Sequence, residues 1–420
     1  MAPRHSSNSE PEMRRILVSA YACEPGRGSE GEIGWSLVHE LAKQNQVWVL
    51  TRANNCDVHE DAFKGTGKPP TLHFVYYDTP RWARWYKKGK RFFLVYYYVW
   101  QIGSAFAARR VVKEQGIELV HHLTGGMDWM PSGLAFAGRP FVWGPVGSER
   151  TNPCILRTLG LSDRAREWLR SLVQFYGRTL DPLVRLTARN ARIILSHTPW
   201  DLPVRYAPKV VPYVQTGIRP ALELARMKPL LGRGSPLTVV YAGELIHWKG
   251  AEYAVEAFLE CARLRTDLRM IVVGDGPLRS SLEKRVARSG VALRVEFKGR
   301  VPMEQLVQVL ALGDLFLYPS YHHGLATVVL QAMLTGMPVV CLEGDAIGRT
   351  VTFECGISVP PGSRPETISR LAEAVCALVD DEPRRLELAG RARQMALSRY
   401  SYELVGAGYE EIYRRVLAAS

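Results

Sequence analysis

The stretch from Asp314 to Cys341, DLFLYPSYHHGLATVVLQAMLTGMPVVC, limits the fold more than any other. Leu315 to Tyr318 reads as a short buried strand. Pro319-Ser320 turns the chain, and Tyr321-His322-His323-Gly324 makes a polar loop. The apolar run Thr327 to Leu334 is too long and too helix-like for a loop. Gly336 stops it, and Pro338-Val339-Val340 opens the next strand. A polar loop therefore leaves the carboxyl end of one strand and enters the amino end of a helix. In open α/β sheets ligands bind there. The unpaired N–H groups and partial positive charge of a helix start suit a phosphate. An ordinary strand–loop–helix unit with two surface histidines is the plain alternative.

The same unit recurs along the chain. Leu237 to Ala242, Arg269 to Val273 and Arg294 to Lys298 read as strands, ending in Gly243-Glu244, Gly274-Asp275-Gly276 and Gly299-Arg300-Val301. A helix begins at Ala251. In the amino-terminal half, Arg15 to Ala20, Val47 to Thr51, Leu72 to Tyr77, Glu118 to His122, Arg139 to Trp143 and Ala191 to Ser196 read as strands. Val210-Val211-Pro212 opens the last crossing segment there. Ile33, Leu37, Val38 and Leu41 sit at helical spacing, giving a helix over Glu32 to Gln44. Strands alternating with helices imply parallel sheets covered on both faces.

A chain of 420 residues suffices for two domains. Residues 1–13 are polar and read as a disordered tail, not a signal peptide. The Pro, Gly and Ser of KPLLGRGSP mark a boundary. The expected division is 14–228 for the first lobe, 229–236 for a hinge and 237–398 for the second lobe. A helix follows over 399–420.

Composition narrows the class. The chain is 47% hydrophobic and 23% charged, as in soluble enzymes. No run approaches the roughly 20 apolar residues that span a membrane. Seven scattered cysteines with no C-x-x-C pair point to a reducing cytoplasm and away from disulfide or zinc frameworks. The net charge of +13 suits an anionic substrate, an anionic membrane surface or nucleic acid. No helix-turn-helix, RRM or KH signature occurs, so no nucleic-acid partner is expected.

Four local features carry chemistry. Gly26, Gly28 and Gly31 satisfy G-x-G-x-x-G, but Tyr21 to Pro25 intervenes after the strand and the second strand ends in Thr51-Arg52. That spacing disfavours a dinucleotide site and leaves a Gly-rich loop near donor phosphates and acceptor, or a merely flexible one. His121 and His122 end a strand before Thr124-Gly125-Gly126, where a histidine faces the crevice. A satisfied buried histidine is the competing reading. Lys249 ends a strand loop beside a helix start, where it can pair with a departing diphosphate; a solvated surface lysine is the alternative. Arg81 to Trp100 interleaves cations with Trp, Tyr and Phe, and Arg164 to Arg189 is a second basic amphipathic stretch. Both suit an anionic membrane interface, or core helices with a solvated face.

Pro319-Ser320 and Leu330-Gln331-Ala332-Met333-Leu334-Thr335-Gly336-Met337-Pro338-Val339-Val340 resemble the donor-binding segment of the retaining glycosyltransferases of family 4. The resemblance extends to AYACEPGRGSEGEIGW, PFVWGPVGSE and the Gly243–Gly250 loop, and so to nearly the whole chain. The family's two acidic places fall on His323 and Gln331, and its arginine after the first glycine of that loop falls on Glu244. The resemblance implies a GT-B fold: two doubly wound Rossmann-like α/β domains facing across a cleft. It implies sugar transfer from a nucleotide sugar, first of all a UDP-sugar, to a hydroxyl of a glycan or lipid-linked acceptor.

The implied catalytic residues are His121 or His122, Lys249 and His323. The implied donor site comprises Gly28, Ser29, Gly243, Glu244, Lys249, Gly274, Gly276, Arg300, Val301, Ser320, Gly324, Leu325, Ala326, Thr327 and Gln331. Glu30, Gly125 and Gly147 are implied for the acceptor, and the final helix would cross back onto the first domain. No Asp-x-Asp occurs in the chain, so no metal or other cofactor is expected. The expected location is cytoplasmic, peripheral on the inner membrane face. A second class stays open: a non-catalytic partner subunit that keeps this fold.

Overall fold

The computed structural model describes residues 13–26, 28–65, 67–83, 92–148, 156, 160–220, 236–321, 324–344 and 346–419. The hinge residues 229–235, His322 and His323, and residues 84–91 of the basic aromatic stretch lie outside that set.

The strands form two sheets, parallel throughout. The first holds β1 (Arg14–Ala20), β2 (Asn45–Arg52), β3 (Leu72–Tyr77), β4 (Leu119–Thr124), β5 (Phe141–Val146), β6 (Ala191–Ser196) and β7 (Val210–Pro212). Their order across the sheet is β3-β2-β1-β4-β5-β6-β7. The second holds β8 (Leu237–Ala242), β9 (Leu268–Val273), β10 (Val295–Gly299), β11 (Leu315–Tyr318), β12 (Val339–Leu342) and β13 (Gly356–Val359), ordered β10-β9-β8-β11-β12-β13. Each order reverses once, beside the first strand of its lobe. Both lobes are therefore doubly wound, with a switch point between β1 and β4 and another between β8 and β11.

Burial on both faces explains why the strands read as unbroken apolar runs. Along β1, Leu17 faces a layer containing Tyr97, Trp100 and Trp143. Ile16 and Val18 face the opposite layer with Ile33, Leu37 and Val38. The helix Tyr402–Ala418 completes that second layer. Val405, Tyr409, Ile412, Tyr413 and Val416 recur at three- and four-residue spacing and are all buried. Its Glu410 pairs with Arg14 and accepts from Asn45 Nδ2 at 2.5 Å, so the helix is joined to the first sheet by charge as well as by packing.

The chain thus returns to the first lobe. Where it does so, Ile218 N donates to Tyr400 O at 2.8 Å and Tyr402 N donates to Ile218 O at 3.1 Å. Across the lobes, Thr216 Oγ1 donates to Leu325 O at 3.0 Å, and the Arg349 guanidinium stacks 3.8 Å from the Trp200 ring centre.

The basic stretch Arg164 to Arg189, read as one amphipathic segment, is two helices, Leu161–Thr179 and Pro182–Asn190. Asp181 separates them. Its carboxylate accepts from Leu183 N at 2.8 Å and Val184 N at 3.1 Å, and Pro182 stands where a helix start needs no N–H. The first helix is seated on the sheet by Arg178, whose Nε donates to Asp128 Oδ2 at 2.6 Å and whose guanidinium also donates to Ser148 O. Both ions are buried, so Arg178→Ala removes a buried counter-ion from Asp128. The expected loss is about 3–5 kcal/mol, read as a lowered urea midpoint.

Candidate functional site

The candidate site occupies the carboxyl rims of the strands at the two switch points. In the second lobe, three loops meet there through main-chain atoms. Gly274 has φ +131°, and a Cβ on it would stand 1.9 Å from Gly243 O. On Gly276 it would stand 2.5 Å from Leu245 O. On Gly250, at φ +72°, it would stand 2.0 Å from Pro319 O. Only glycine permits approaches this close. Gly274 N also donates to Gly299 O at 2.8 Å, which brings the end of β10, and so Arg300, to the same rim.

Lys249 sits on this scaffold. Its carbonyl accepts from Tyr241 OH at 3.2 Å, and the neighbouring Trp248 carbonyl accepts from Ser320 Oγ and Tyr321 N, each at 3.2 Å. The main chain is pinned while the Lys249 side chain is half-exposed. Arg300 and Glu244 are exposed, and Val301 is half-buried against the second core. His247, in the same loop, is bonded through Nδ1 to Glu252 Oε2 at 2.9 Å. That bond, reinforced by Arg364, holds the Glu252 carboxyl below its usual range in spite of burial.

The helix Thr327–Leu334 starts beyond Gly324, Leu325 and Ala326, with Ala326 as its extended cap residue. Thr327 and Gln331 lie one turn apart on one face. Both are buried, and Thr327 Oγ1 and Gln331 Oε1 have no hydrogen-bond partner among the described residues. Gln331 Nε2 contacts Met303 Sδ at 3.2 Å, placing this face beside the loop that carries Arg300 and Val301. His323, expected beside the donor sugar, lies outside the described residues.

In the first lobe, the sequence-predicted acceptor residues come together. Gly125 N donates to Glu30 Oε1 at 2.7 Å, and Gly147 N donates to Gly126 O at 2.9 Å. The loops after β1, β4 and β5 are thereby joined. Gly28 and Ser29 form the first turn of the helix Gly28–Leu41, which begins four residues earlier than its apolar spacing suggests. The G-x-G-x-x-G is thus a turn running into a helix, and it is folded around an ion pair that sequence reading missed. Glu24, nearly buried, pairs with Arg52 and accepts from Cys23 N at 2.9 Å. Arg52 Nε donates to Tyr21 O at 3.1 Å. The signal was present in Arg52 ending β2, a place where a ribose-binding carboxylate would otherwise stand.

The two histidines correct the expectation that one faces the crevice. His121 is fully buried, with Nδ1 2.6 Å from Tyr413 OH and Nε2 2.6 Å from Gly144 O. It ties β4 to β5 and to the returning helix. His122, on the other face of the sheet, lies 2.9 Å from Ser132 Oγ and reaches the Gly125 backbone. Two parallel-sheet neighbours and a helix on each face leave neither ring an open side. Burial holds both neutral, lowering His121 to about 3 and His122 to about 4 from 6.5. The unfolded chain therefore binds these protons first. Stability is fully present above about pH 6.5 and falls as pH drops from there toward 4, by about 1.4 kcal/mol per unit per histidine. His122→Gln should flatten that slope in urea titrations run between those pH values.

Comparison with known proteins bears on both lobes. Residues 236–381 match the family described as Glycosyl transferases group 1. The α-D-kanosaminyltransferase of Streptomyces kanamyceticus is 31% identical over 193 residues, covering 46% of this chain and 49% of that one. The GDP-mannose-dependent monoacylated α-(1-6)-phosphatidylinositol monomannoside mannosyltransferase of Corynebacterium glutamicum is 25% identical over 217 residues, covering 50% and 53%. The chain thus spans about half the length of the curated relatives it matches.

Among solved structures, a glycosyltransferase from Rickettsia africae superposes with TM-score 0.64 at 13% identity, over 97% of this chain and 100% of that one. Anabaena HepE in complex with UDP superposes with TM-score 0.64 at 17% identity, over 96% and 100%. Both lobes together have the GT-B fold, and residues 236–381, which carry Lys249, Arg300 and Gln331, are a group 1 glycosyl transferase domain.

Proposed function

We propose that this protein moves a sugar from a nucleoside diphosphate sugar to a hydroxyl of a lipid-linked or glycan acceptor, with retained configuration and without a metal. The observation that carries this reading is the gathering at the β8–β11 switch point. There the loop that carries Lys249 touches the end of β11, and the helix start beyond it holds two buried oxygens, Thr327 Oγ1 and Gln331 Oε1, without partners among the described residues. The bond between the anomeric carbon and the diphosphate oxygen breaks, and negative charge grows on the leaving phosphate. Fixed cations and N–H groups stabilise that charge, and they need not reorganise to do so. Gln331 offers an amide oxygen to a ribose hydroxyl.

The relatives support the reading, since by name one transfers a kanosaminyl group and the other a mannosyl group to a phosphatidylinositol monomannoside. The UDP held by the HepE structure makes UDP the first nucleotide to try. Peripheral membrane contact through Arg81 to Trp100 belongs to the same proposal.

Calorimetry with UDP tests the binding half, and binding below millimolar concentration is expected. Lys249→Ala should cut turnover of the accepted nucleotide sugar by at least about tenfold; an unchanged rate rejects its role. Turnover should survive EDTA. A second reading, a non-catalytic partner subunit, is favoured by Glu244, an exposed carboxylate on the rim that would meet the diphosphate. Absence of UDP binding at millimolar nucleotide would decide for it.

A further inference from the structure

The helix Leu161–Thr179 is turned inside out. At 100° per residue, Leu161, Trp168, Leu169, Leu172, Phe175 and Tyr176 fall on one side. That side faces solvent, with Trp168 69%, Leu169 57% and Phe175 58% exposed. Gln174, Gly177 and Arg178 lie on the opposite side and are the buried ones. A water-facing helix has the reverse arrangement. Gly177 allows the inward face to sit tightly, since a Cβ there would stand 2.4 Å from Trp129 O.

The outward face continues onto the helix Phe93–Gln115, where Val95 is 52% and Phe106 70% exposed. Between the two helices runs an apolar groove of about 390 Å³. Leu94, Val95 and Tyr98 form one wall and Val173 and Tyr176 the other. Trp129 lines it too, and its Nε1 is buried without a hydrogen-bond partner among the described residues. Trp129 follows the loop of Gly125 and Asp128, so the groove leads from the open face toward the acceptor residues.

Charge selects the occupant. Residues 80–115 hold nine Lys or Arg and one acid, and residues 156–192 hold eight and three. Their combined excess equals the whole net charge of +13. A second copy would set like charge against like. An anionic bilayer matches both the apolar face and the net positive charge of the two sequence segments that carry it.

We propose that this face docks on an anionic lipid bilayer and that the groove admits a hydrocarbon chain of a lipid acceptor drawn from it. This rests on the lipid-acceptor reading above, and docking is measured apart from transfer. The whole protein should sediment with vesicles containing phosphatidylglycerol and far less with phosphatidylcholine alone. Leu169→Glu with Leu172→Glu should weaken that binding by at least about tenfold, because charged side chains resist insertion. UDP affinity should not change, as Lys249, Thr327 and Gln331 lie in the other lobe. A dansyl-labelled fatty acid should brighten on the wild type and much less on Val173→Trp, which fills the groove.

Wild-type protein that ignores anionic vesicles overturns the proposal, whether or not UDP binds. So does undiminished vesicle binding by the double variant. So does a double variant that merely splits a dimer and still binds vesicles. A fatty acid that does not brighten, or brightens equally on Val173→Trp, overturns the groove's part.

Discussion

At the carboxyl rim of the second sheet, strand loops touch through main-chain atoms, with no side chain between them. Gly274 against Gly243 and Gly250 against Pro319 set the spacing of everything attached. A side chain at either glycine would push the loops apart and carry Lys249 away from the start of the Thr327–Leu334 helix. Electrostatic stabilisation falls with distance, so under the proposed reading this crowding is what would let one lysine and one helix end act on one group.

The first lobe solves a different problem. Its loops after β1, β4 and β5 are laced by polar contacts: Glu30 to Gly125, Gly126 to Gly147, Arg178 to Asp128 and Ser148. Behind them stand the two neutral histidines, each bonded within the protein. Buried polar groups that are satisfied in this way rigidify what they join. A rim held from behind can leave its front open to a large acceptor. Glu167, on the inward side of the Leu161–Thr179 helix, lies near enough to Tyr321 of the second lobe to disfavour its ionisation, alongside the larger effect of burial. That helix therefore comes near the second lobe at one end and meets the loops after β4 and β5 at the other.

Much of this was legible from periodicity. The strands Leu237–Ala242 and Leu315–Tyr318 fall where their apolar runs lie, because both faces of a parallel sheet are buried there, and Leu72–Tyr77 and Ala191–Ser196 fall where expected although each keeps an exposed position. The helix Thr327–Leu334 does so as well, ending where Gly336 follows. β13 was missed: Gly356–Val359 is four residues long and opens on a glycine, too brief to stand out from a loop. The join between Glu30 and Gly125 was anticipated only as a shared purpose. The histidines show where local reading fails. Position at a strand end does not say which way a ring points, and the partner of His121, Tyr413, is 292 residues distant. The break at Asp181-Pro182 was readable in principle, since a capping aspartate before proline is a helix start. Basic periodicity running through it hid the stop.

The two passages of the chain between lobes meet side by side, Ile218 lying against Tyr400, Ser401 and Tyr402. A paired seam of this kind favours swinging over sliding. Motion of the lobes would be least at that seam and greatest at the far lip of the cleft. Arg349 over the Trp200 ring is a further contact between the lobes, one that any such swing must either keep or break.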